Sequence, residues 1–495
     1  MSFVVSITFI LGVLCVAKLL QRKQKRALPM PPSPPADPLI GHLRIIPEHD
    51  AHLFFHQLSK TYGKIISLRI PRRTLIILNS EKAAVDLLEK RSSIYSDRPT
   101  SDVMSLMGFV SNIVLFPYGE NFRRHRRLLN QYFHQKKCLS YQRVQVQEAR
   151  RLLLNLARSP EKFEDHLNRY SAAIILNVAH GHQVQEEDDI YLRIAQDVEY
   201  AITHCAPPGS NLVDLFPFLK HMPSWMPGTF AATQARLFRP VVDRMHDYPF
   251  EDAKRKLAEG TSLDSLLSSE LEKINREGED YIYSAQDIKG ATAIVYIGGV
   301  DTTFCTLLIF MLAMVLYPEA QTMAQKELDQ LTGGTRLPTF ADRKSLPYLE
   351  KLVQETYRWH SSVPGGMPHR CMEDDVYEGM FIPKGSIIIT NIHAMTRDED
   401  VYKDPHKFDP DRYDRGEPYT VSHFGFGRRI CPGRYLADAN VWIAIASILT
   451  AFRIESLTND AGKPMYPSED FESAITSRPK PFECRITPRN NDLLT

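Results

Sequence analysis

The sequence predicts a mainly α-helical protein with a minor β part, organised as a single large domain behind an N-terminal apolar segment. Three observations predict it. A capped apolar run of about 33 residues ends at Tyr317, roughly 50 Å of helix. Most of the chain after Ser80 reads helical, and strand patterns are confined to residues 64–78 and 376–391.

The elements follow in chain order. Phe3 to Leu20 is apolar except for Ser6, Thr8 and Lys18, and about 18 residues just span a bilayer core. Arg22, Lys23, Lys25 and Arg26 come next, then a proline-rich stretch from Pro29 to Pro38. A cleaved signal peptide would carry its positive charge before the apolar run and small residues after it. The order here is the reverse, which favours an uncleaved anchor with the body held in the cytosol. Residues 1–20 are therefore expected to be a transmembrane helix. Residues 21–40 are expected to be a basic and proline-rich hinge acting as a stiff spacer, and 41–495 the catalytic domain. Residues 64–70 and 74–78 read as a hairpin around Pro71-Arg72-Arg73. Ser284 and Asp287 form a capping box that opens the long helix. Its polar Asp301, Thr302 and Thr303 argue for a path through the protein's centre rather than a second membrane span. Pro318 and Pro347 suit the first turns of two further helices. Short strands are expected near Val376–Phe381 and Ser386–Asn391.

Composition narrows the function. Lys and Arg total 60 against 59 Asp and Glu, and 43% of residues are hydrophobic. That balance argues against a nucleic-acid binder, which needs a basic stripe, and against disorder. The seven cysteines are far apart with no CxxC, so neither a disulfide framework nor a zinc knuckle is suggested.

The strongest signal is Phe424-Gly-Phe-Gly427-Arg-Arg429-Ile-Cys431-Pro-Gly433, matching F-x-x-G-x-R-x-C-x-G. Five fixed positions would arise by chance with a probability on the order of 10⁻⁴. The glycines allow tight turns and close approach to a flat ligand. An apolar helix follows, so Cys431 sits at a helix N-terminus, where the dipole and free N–H groups favour a thiolate. A lone thiolate on a glycine-rich loop suits a single axial metal bond.

At these residues the chain resembles the cytochrome P450 family of haem-thiolate monooxygenases over nearly its whole length. The resemblance implies a cytochrome P450-type haem domain, haem b as cofactor, and Cys431 as the axial iron ligand. It implies that Arg429 pairs with a haem propionate, a carboxylate suited to a forked guanidinium. Phe424, Gly427 and Gly433 complete the haem loop. Gly298-Gly299-Val300-Asp301-Thr302-Thr303 matches the family's [AG]-G-x-[DE]-T-[TS]. Mid-helix glycines cost about 1 kcal/mol each, and room over the iron is the expected return. Asp301 and Thr302 are the implied catalytic pair, guiding protons to dioxygen at the haem. Glu355, Arg358 and Arg412 match the family's buried structural triad. Arg126 matches a propionate-binding arginine. Phe122 replaces the family's usual Trp four residues earlier, which leaves packing without the indole N–H. His369 matches a propionate-binding position, the alternative being a solvated strand-end residue.

No G-x-G-x-x-G strand–helix unit is present for NADPH or flavin, and 64 residues follow Cys431 (495 − 431), so electrons are expected from a separate protein. The resemblance implies NADPH–cytochrome P450 reductase, with cytochrome b5 as a second donor, at the endoplasmic reticulum membrane. Arg123, Arg124, Arg127, Lys136, Lys137, Arg428 and Arg434 could form a basic face for an acidic flavoprotein. Segments implied to line the pocket (98–116, 205–238, 294–302, 363–367 and 474–477) are apolar and poor in charge, which fits a lipophilic substrate. Stretches such as Leu346-Pro-Tyr-Leu look like fungal members that tailor secondary metabolites, with a terpenoid or aromatic polyketide as the expected substrate class. Two rivals are a haem-thiolate isomerase or dehydratase acting on peroxides without a reductase, and a non-catalytic haem-binding sensor or carrier. The Asp301–Thr302 pair argues against both.

Overall fold

The computed structural model describes residues 28–185, 189–205 and 211–494. The expected anchor at 1–20 and the basic half of the hinge lie outside the described residues. The chain folds as two compact units and passes between them several times: 28–99, 365–394 and 426–429 make the first, and the remaining described residues the second. Helices of eight or more residues, and all strands, are numbered below.

The first unit is built on a four-stranded sheet. Helix α1 (Ala51–Tyr62) leads into the hairpin β1 (Ile65–Ile70) and β2 (Arg73–Leu78), as the sequence predicts. Arg72 takes a left-handed φ of 64° to close the turn after Pro71. β6 (Ile387–Thr390) lies parallel to β2, and β3 (His369–Arg370) pairs antiparallel with β6. Ile66, Leu68, Ile76, Ile77 and Leu78 are fully buried, and the consecutive buried residues of β2 show that it is covered on both faces. The expected single strand at 376–381 is instead a second hairpin, β4 (Asp375–Tyr377) and β5 (Met380–Ile382). Glu378 and Gly379 both have positive φ, 49° and 78°, so the chain reverses in two residues where the apolar pattern alone reads as continuous.

The proline-rich stretch is docked rather than free. Prolines lack an N–H but keep a carbonyl, and here those carbonyls are used. Pro29 O accepts from the Phe381 N–H at 2.8 Å, Pro32 O from the Ser67 N–H at 2.9 Å, and Pro31 O from the Ser67 hydroxyl at 2.6 Å. From residue 28 onward the expected spacer therefore belongs to the first unit.

The second unit is helical: α2 (Glu120–Phe133), α3 (Gln142–Arg158), α4 (Phe163–His180), α5 (Ile190–His204), α6 (Phe230–Ala258), α7 (Leu266–Glu277), α8 (Ala285–Leu316), α9 (Pro318–Thr332), α10 (Pro347–Trp359) and α11 (Arg434–Ala451). Its strands are short: β7 (Phe452–Glu455), β8 (Leu457–Thr458), β9 (Pro464–Met465), β10 (Phe471–Ser473), β11 (Ser477–Pro479) and β12 (Arg485–Pro488), pairing β7 with β12, β8 with β9, and β10 with β11. The capping box opens α8 as expected, with the Ser284 hydroxyl accepting from the Asp287 N–H and the Asp287 carboxylate accepting from the Ser284 N–H. Pro318 and Pro347 begin α9 and α10, where a missing N–H costs nothing. α8 packs against α4 and α11, and α3 closes the ring by packing on both. Among the described residues α8 alone is long and apolar enough to cross a membrane, and most of it is buried in this bundle. It is the core helix that its polar residues required.

Candidate active site

Cys431 lies on the loop leading into α11. The Cys431 N–H donates to Phe424 O at 2.9 Å, closing the loop in the second unit, and the half-buried Phe424 ring packs near Tyr357 and His423. Helix α11 begins three residues later with Gly433 as its cap. Burial pushes the Cys431 thiol up, opposed by the Gly433 N–H, the Arg126 and Arg434 charges, and the Arg434 N–H. The sulfur thus sits among donors and two guanidinium charges whose pull burial outweighs, and a bound metal ion would settle it as the thiolate. Arg126 donates to Ile430 O at 2.5 Å, and Arg434 donates to Cys431 O at 3.1 Å, so both guanidiniums brace the loop. Phe122 is buried one turn before Arg126 and packs on Tyr118, with ring centres 5.6 Å apart.

The loop residues Gly427 and Arg429 belong to the first unit. Gly427 has φ 55°, and a Cβ there would sit 2.0 Å from Leu88 O. Only glycine fits there, because of this backbone contact and the left-handed φ. Gly427→Ala is expected to destabilise the protein by about 2–5 kcal/mol, combining left-handed strain with steric overlap. A chemical-denaturation midpoint equal to wild type would mean that the loop is not held against Leu88.

Arg429 is buried and its Nε donates to Ser96 O at 2.7 Å. His369 is buried on β3, not solvated, and its Nδ1 meets Tyr95 O at 2.8 Å. Burial first, then the charges of Arg98 and Arg429, hold this imidazole neutral. Arg98, given by the sequence only as the first residue of a pocket-lining segment, stands out in the structure. It is buried, donates to Met367 O and Pro368 O, and keeps an Nε with no partner among the described residues. Burial and the neighbouring Arg429 push its guanidinium down to about 9. The Arg98-Pro99 dipeptide breaks no pattern in sequence, so only its surroundings reveal it.

On α8, Ile294, Gly298 and Thr302 recur every four residues along one stripe. Gly298 is exposed in mid-helix, and a Cβ placed there would meet nothing within 4 Å. Gly299 behaves differently: a Cβ would meet Ile175 of α4 at 2.6 Å, so this glycine serves close helix packing rather than open room. The Thr302 hydroxyl donates to Gly298 O at 2.7 Å. Asp301 does not bond Thr302. Its Oδ2 accepts from the Thr476 hydroxyl at 2.5 Å, and its Oδ1 faces Cys305 Sγ at 3.5 Å.

The triad assembles as matched. Glu355, Arg358 and Arg412 are completely buried. Arg358 donates from Nε and a terminal nitrogen to both Glu355 oxygens at 2.8 Å, and Arg412 Nε donates to Glu355 at 3.0 Å. Glu417 and Tyr413, not singled out from sequence, complete it: Arg412 pairs with Glu417 at 2.6 Å and the Tyr413 hydroxyl donates to Glu355 at 3.0 Å. Of the proposed basic face, Arg123, Arg127 and Lys136 on and after α2 are exposed, whereas Arg124 is committed to Asp287 at 2.7 Å and Arg434 to the loop.

These residues fit a haem. In the first unit, the orphaned Arg98 Nε beside a second buried guanidinium calls for anions such as the propionates. In the second, the donor-wrapped Cys431 suits an iron ligand, and the bare flank of α8 at Gly298 admits small molecules. Comparisons with known proteins agree. The Cytochrome P450 family model matches residues 31–485. The chain is 38% identical to Cytochrome P450 monooxygenase 136 of Postia placenta over 94% of this chain and 90% of that protein. It is 37% identical to Cytochrome P450 monooxygenase claR of Ampulloclitocybe clavipes over 93% and 87%. It is 35% identical to Tryptamine 4-monooxygenase of Psilocybe cyanescens over 97% of each.

Proposed function

The chain belongs to the cytochrome P450 family and is a monooxygenase, and from that premise we propose that it oxidises a lipophilic small molecule of fungal secondary metabolism. The cofactor is haem b, and electrons come from NADPH through cytochrome P450 reductase, with cytochrome b5 as a second donor. When bound, the haem supplies activation of dioxygen and transfer of one oxygen atom to the substrate. The chain's residues do the rest. Cys431 Sγ holds the iron, with the Gly433 and Arg434 N–H groups stabilising its negative charge. In the first unit Arg98, His369 and Arg429 would hold a propionate, and in the second unit Arg126 would do so. Thr302 commits its hydroxyl proton to Gly298 O, so its oxygen presents lone pairs that accept a proton-bearing partner. Asp301 relays protons from solvent. Ile294 and Ile297 beside the bare Gly298 offer an apolar surface to the substrate.

The observation that carries this reading is the donor-wrapped Cys431 at the start of α11. A carbon-monoxide difference spectrum of the reduced protein tests it, and a strongly red-shifted Soret band is expected. Spectral titration with terpenoids, aromatic polyketides and tryptamine, the last because one relative is named for it, then ranks substrate classes. No haem band at all would overturn the reading.

The proposed location is the endoplasmic reticulum membrane, with residues 1–20 as anchor and the catalytic body in the cytosol. The body offers support: Phe218, Trp225, Phe230 and Leu237 are 59%, 78%, 67% and 67% exposed within one short stretch, an apolar patch of the kind that meets lipid. The full chain is expected to stay on vesicles through alkaline carbonate washing. Release in carbonate would count against the anchor.

A further inference from the structure

The Asp301 carboxylate faces an element that the family motif does not include. The turn between β10 and β11 carries Thr476, 175 residues away in sequence, whose hydroxyl donates to Asp301 Oδ2 at 2.5 Å. This turn is held on several sides. The Ala474 N–H donates to Thr476 O at 2.8 Å, across the turn itself. The next residue, Ser477, is fully buried; its N–H donates to Ser362 O at 2.9 Å and its hydroxyl meets His360 Nε2 at 2.8 Å. His360, just past the end of α10, stacks flat on Phe471 of β10, with ring centres 3.5 Å apart. Thr476 is therefore presented to Asp301 by a braced scaffold, not by a loose loop.

Arg478 of β11 lies loosely between Glu199 of α5 at 3.9 Å and Glu472 at 3.8 Å, and the Glu199 and Arg478 side chains are about half exposed. Burial and the Asp301 charge push the Glu199 carboxyl up, with Arg478 pulling it back. Cys305, facing the other Asp301 oxygen, is a weak donor whose thiol burial pushes far up, so it orients the carboxylate without competing for the proton.

We propose that Thr476 is a positioning residue for the monooxygenase reaction: it holds the Asp301 carboxylate in the orientation from which a proton passes inward to the Thr302 side. This rests on the functional reading above and extends it to a residue on another element. The proton that Asp301 passes inward is replaced by one from solvent, so the chain ends the cycle unchanged. A hydrogen bond of this kind lowers the cost of a defined orientation, and misplacing a reacting group by even about 1 Å costs up to ~100-fold.

The test uses the full, haem-loaded chain with cytochrome P450 reductase and no added organic substrate, measuring hydrogen peroxide released per NADPH consumed. Failed proton delivery releases the reduced oxygen as peroxide, so this ratio reports the relay rather than the overall rate. Thr476→Val is expected to raise the ratio toward its ceiling of one peroxide per NADPH, and Thr476→Ser, which keeps the hydroxyl, to restore it. In an Asp301→Asn background Thr476→Val is expected to change nothing further, because its partner is already lost. Infrared difference spectra against Asp301→Asn should show the Asp301 carboxylate band shifted in Thr476→Val and unshifted in Thr476→Ser. An unchanged ratio in Thr476→Val with the red-shifted carbon-monoxide band intact would overturn the proposal. So would an equal rise in the Asp301→Asn background, or loss of the band in both Thr476 variants, which marks a purely structural role. Absence of the band in the wild type is separable from all of these: it removes the functional reading, and this proposal with it.

Discussion

Cys431→Ser is expected to abolish the red-shifted carbon-monoxide band and to cut NADPH-driven oxidation by more than ~100-fold, since even outer partners of metal ligands are worth ~10–100-fold. The substitution exchanges sulfur for oxygen at nearly constant shape. The Gly433 and Arg434 N–H groups would still find an acceptor, and the loop bond from the Cys431 N–H to Phe424 O is backbone and survives. Stability without haem should therefore change by only about 1 kcal/mol or less. What is lost is the ionisable ligand: an alcohol does not become an anion under the modest pull of Arg126 and Arg434, whereas a thiol does so readily once a metal binds. Spectra and denaturation measured together separate the two effects. A variant with the band intact would place the iron ligand elsewhere.

Glu355→Ala is the second large effect, and it falls on the fold. The variant is expected to lose about 3–5 kcal/mol, the usual cost of leaving buried charge unpaired. Four donors converge on this carboxylate, which is itself completely buried: Arg358, Arg412, the Tyr413 hydroxyl and the Asp409 N–H at 2.9 Å. Arg358 also donates to Thr396, Pro405 and Lys407 carbonyls, and Arg412 to those of Lys403, Asp404 and Lys407. Glu355 thus neutralises the two cations that tie the strandless segment 396–417 to α10. Arg412 retains Glu417 in the variant; Arg358 has no second carboxylate among its hydrogen bonds, so most of the loss is expected there. Urea denaturation of wild type, Glu355→Ala and Glu355→Gln measures it. A loss under about 1 kcal/mol would mean that water enters and solvates the guanidiniums.

Arg98 and Thr476 show how far such roles escape a linear reading. Each acts through partners more than 100 residues away: Arg98 on the 367–368 carbonyls, Thr476 on Asp301. Neither belongs to a periodic pattern, and an Arg-Pro or a Thr in a turn is ordinary local chemistry. Gly427 is the intermediate case. Its place in the motif was plain, and the structure adds a reason that the motif does not show, a backbone contact with Leu88. Gly299 likewise turned out to admit Ile175 rather than open space.

By itself, the sequence determined whatever depends on near neighbours in the chain. The capping box at Ser284 and Asp287, the prolines that begin α9 and α10, the hairpin at 65–78, and the glycine-flanked cysteine before α11 are all set by local backbone chemistry, and they sufficed to indicate the helical class and the haem-thiolate reading. Tertiary structure alone decided which polar groups meet. It turned Asp301 toward Thr476, buried His369 as a neutral imidazole, set Arg98 beside Arg429, and laid the proline carbonyls along the first unit. The physical reason is that hydrogen bonds and desolvation act at contact distance, and contact between distant segments is fixed only when the whole core packs.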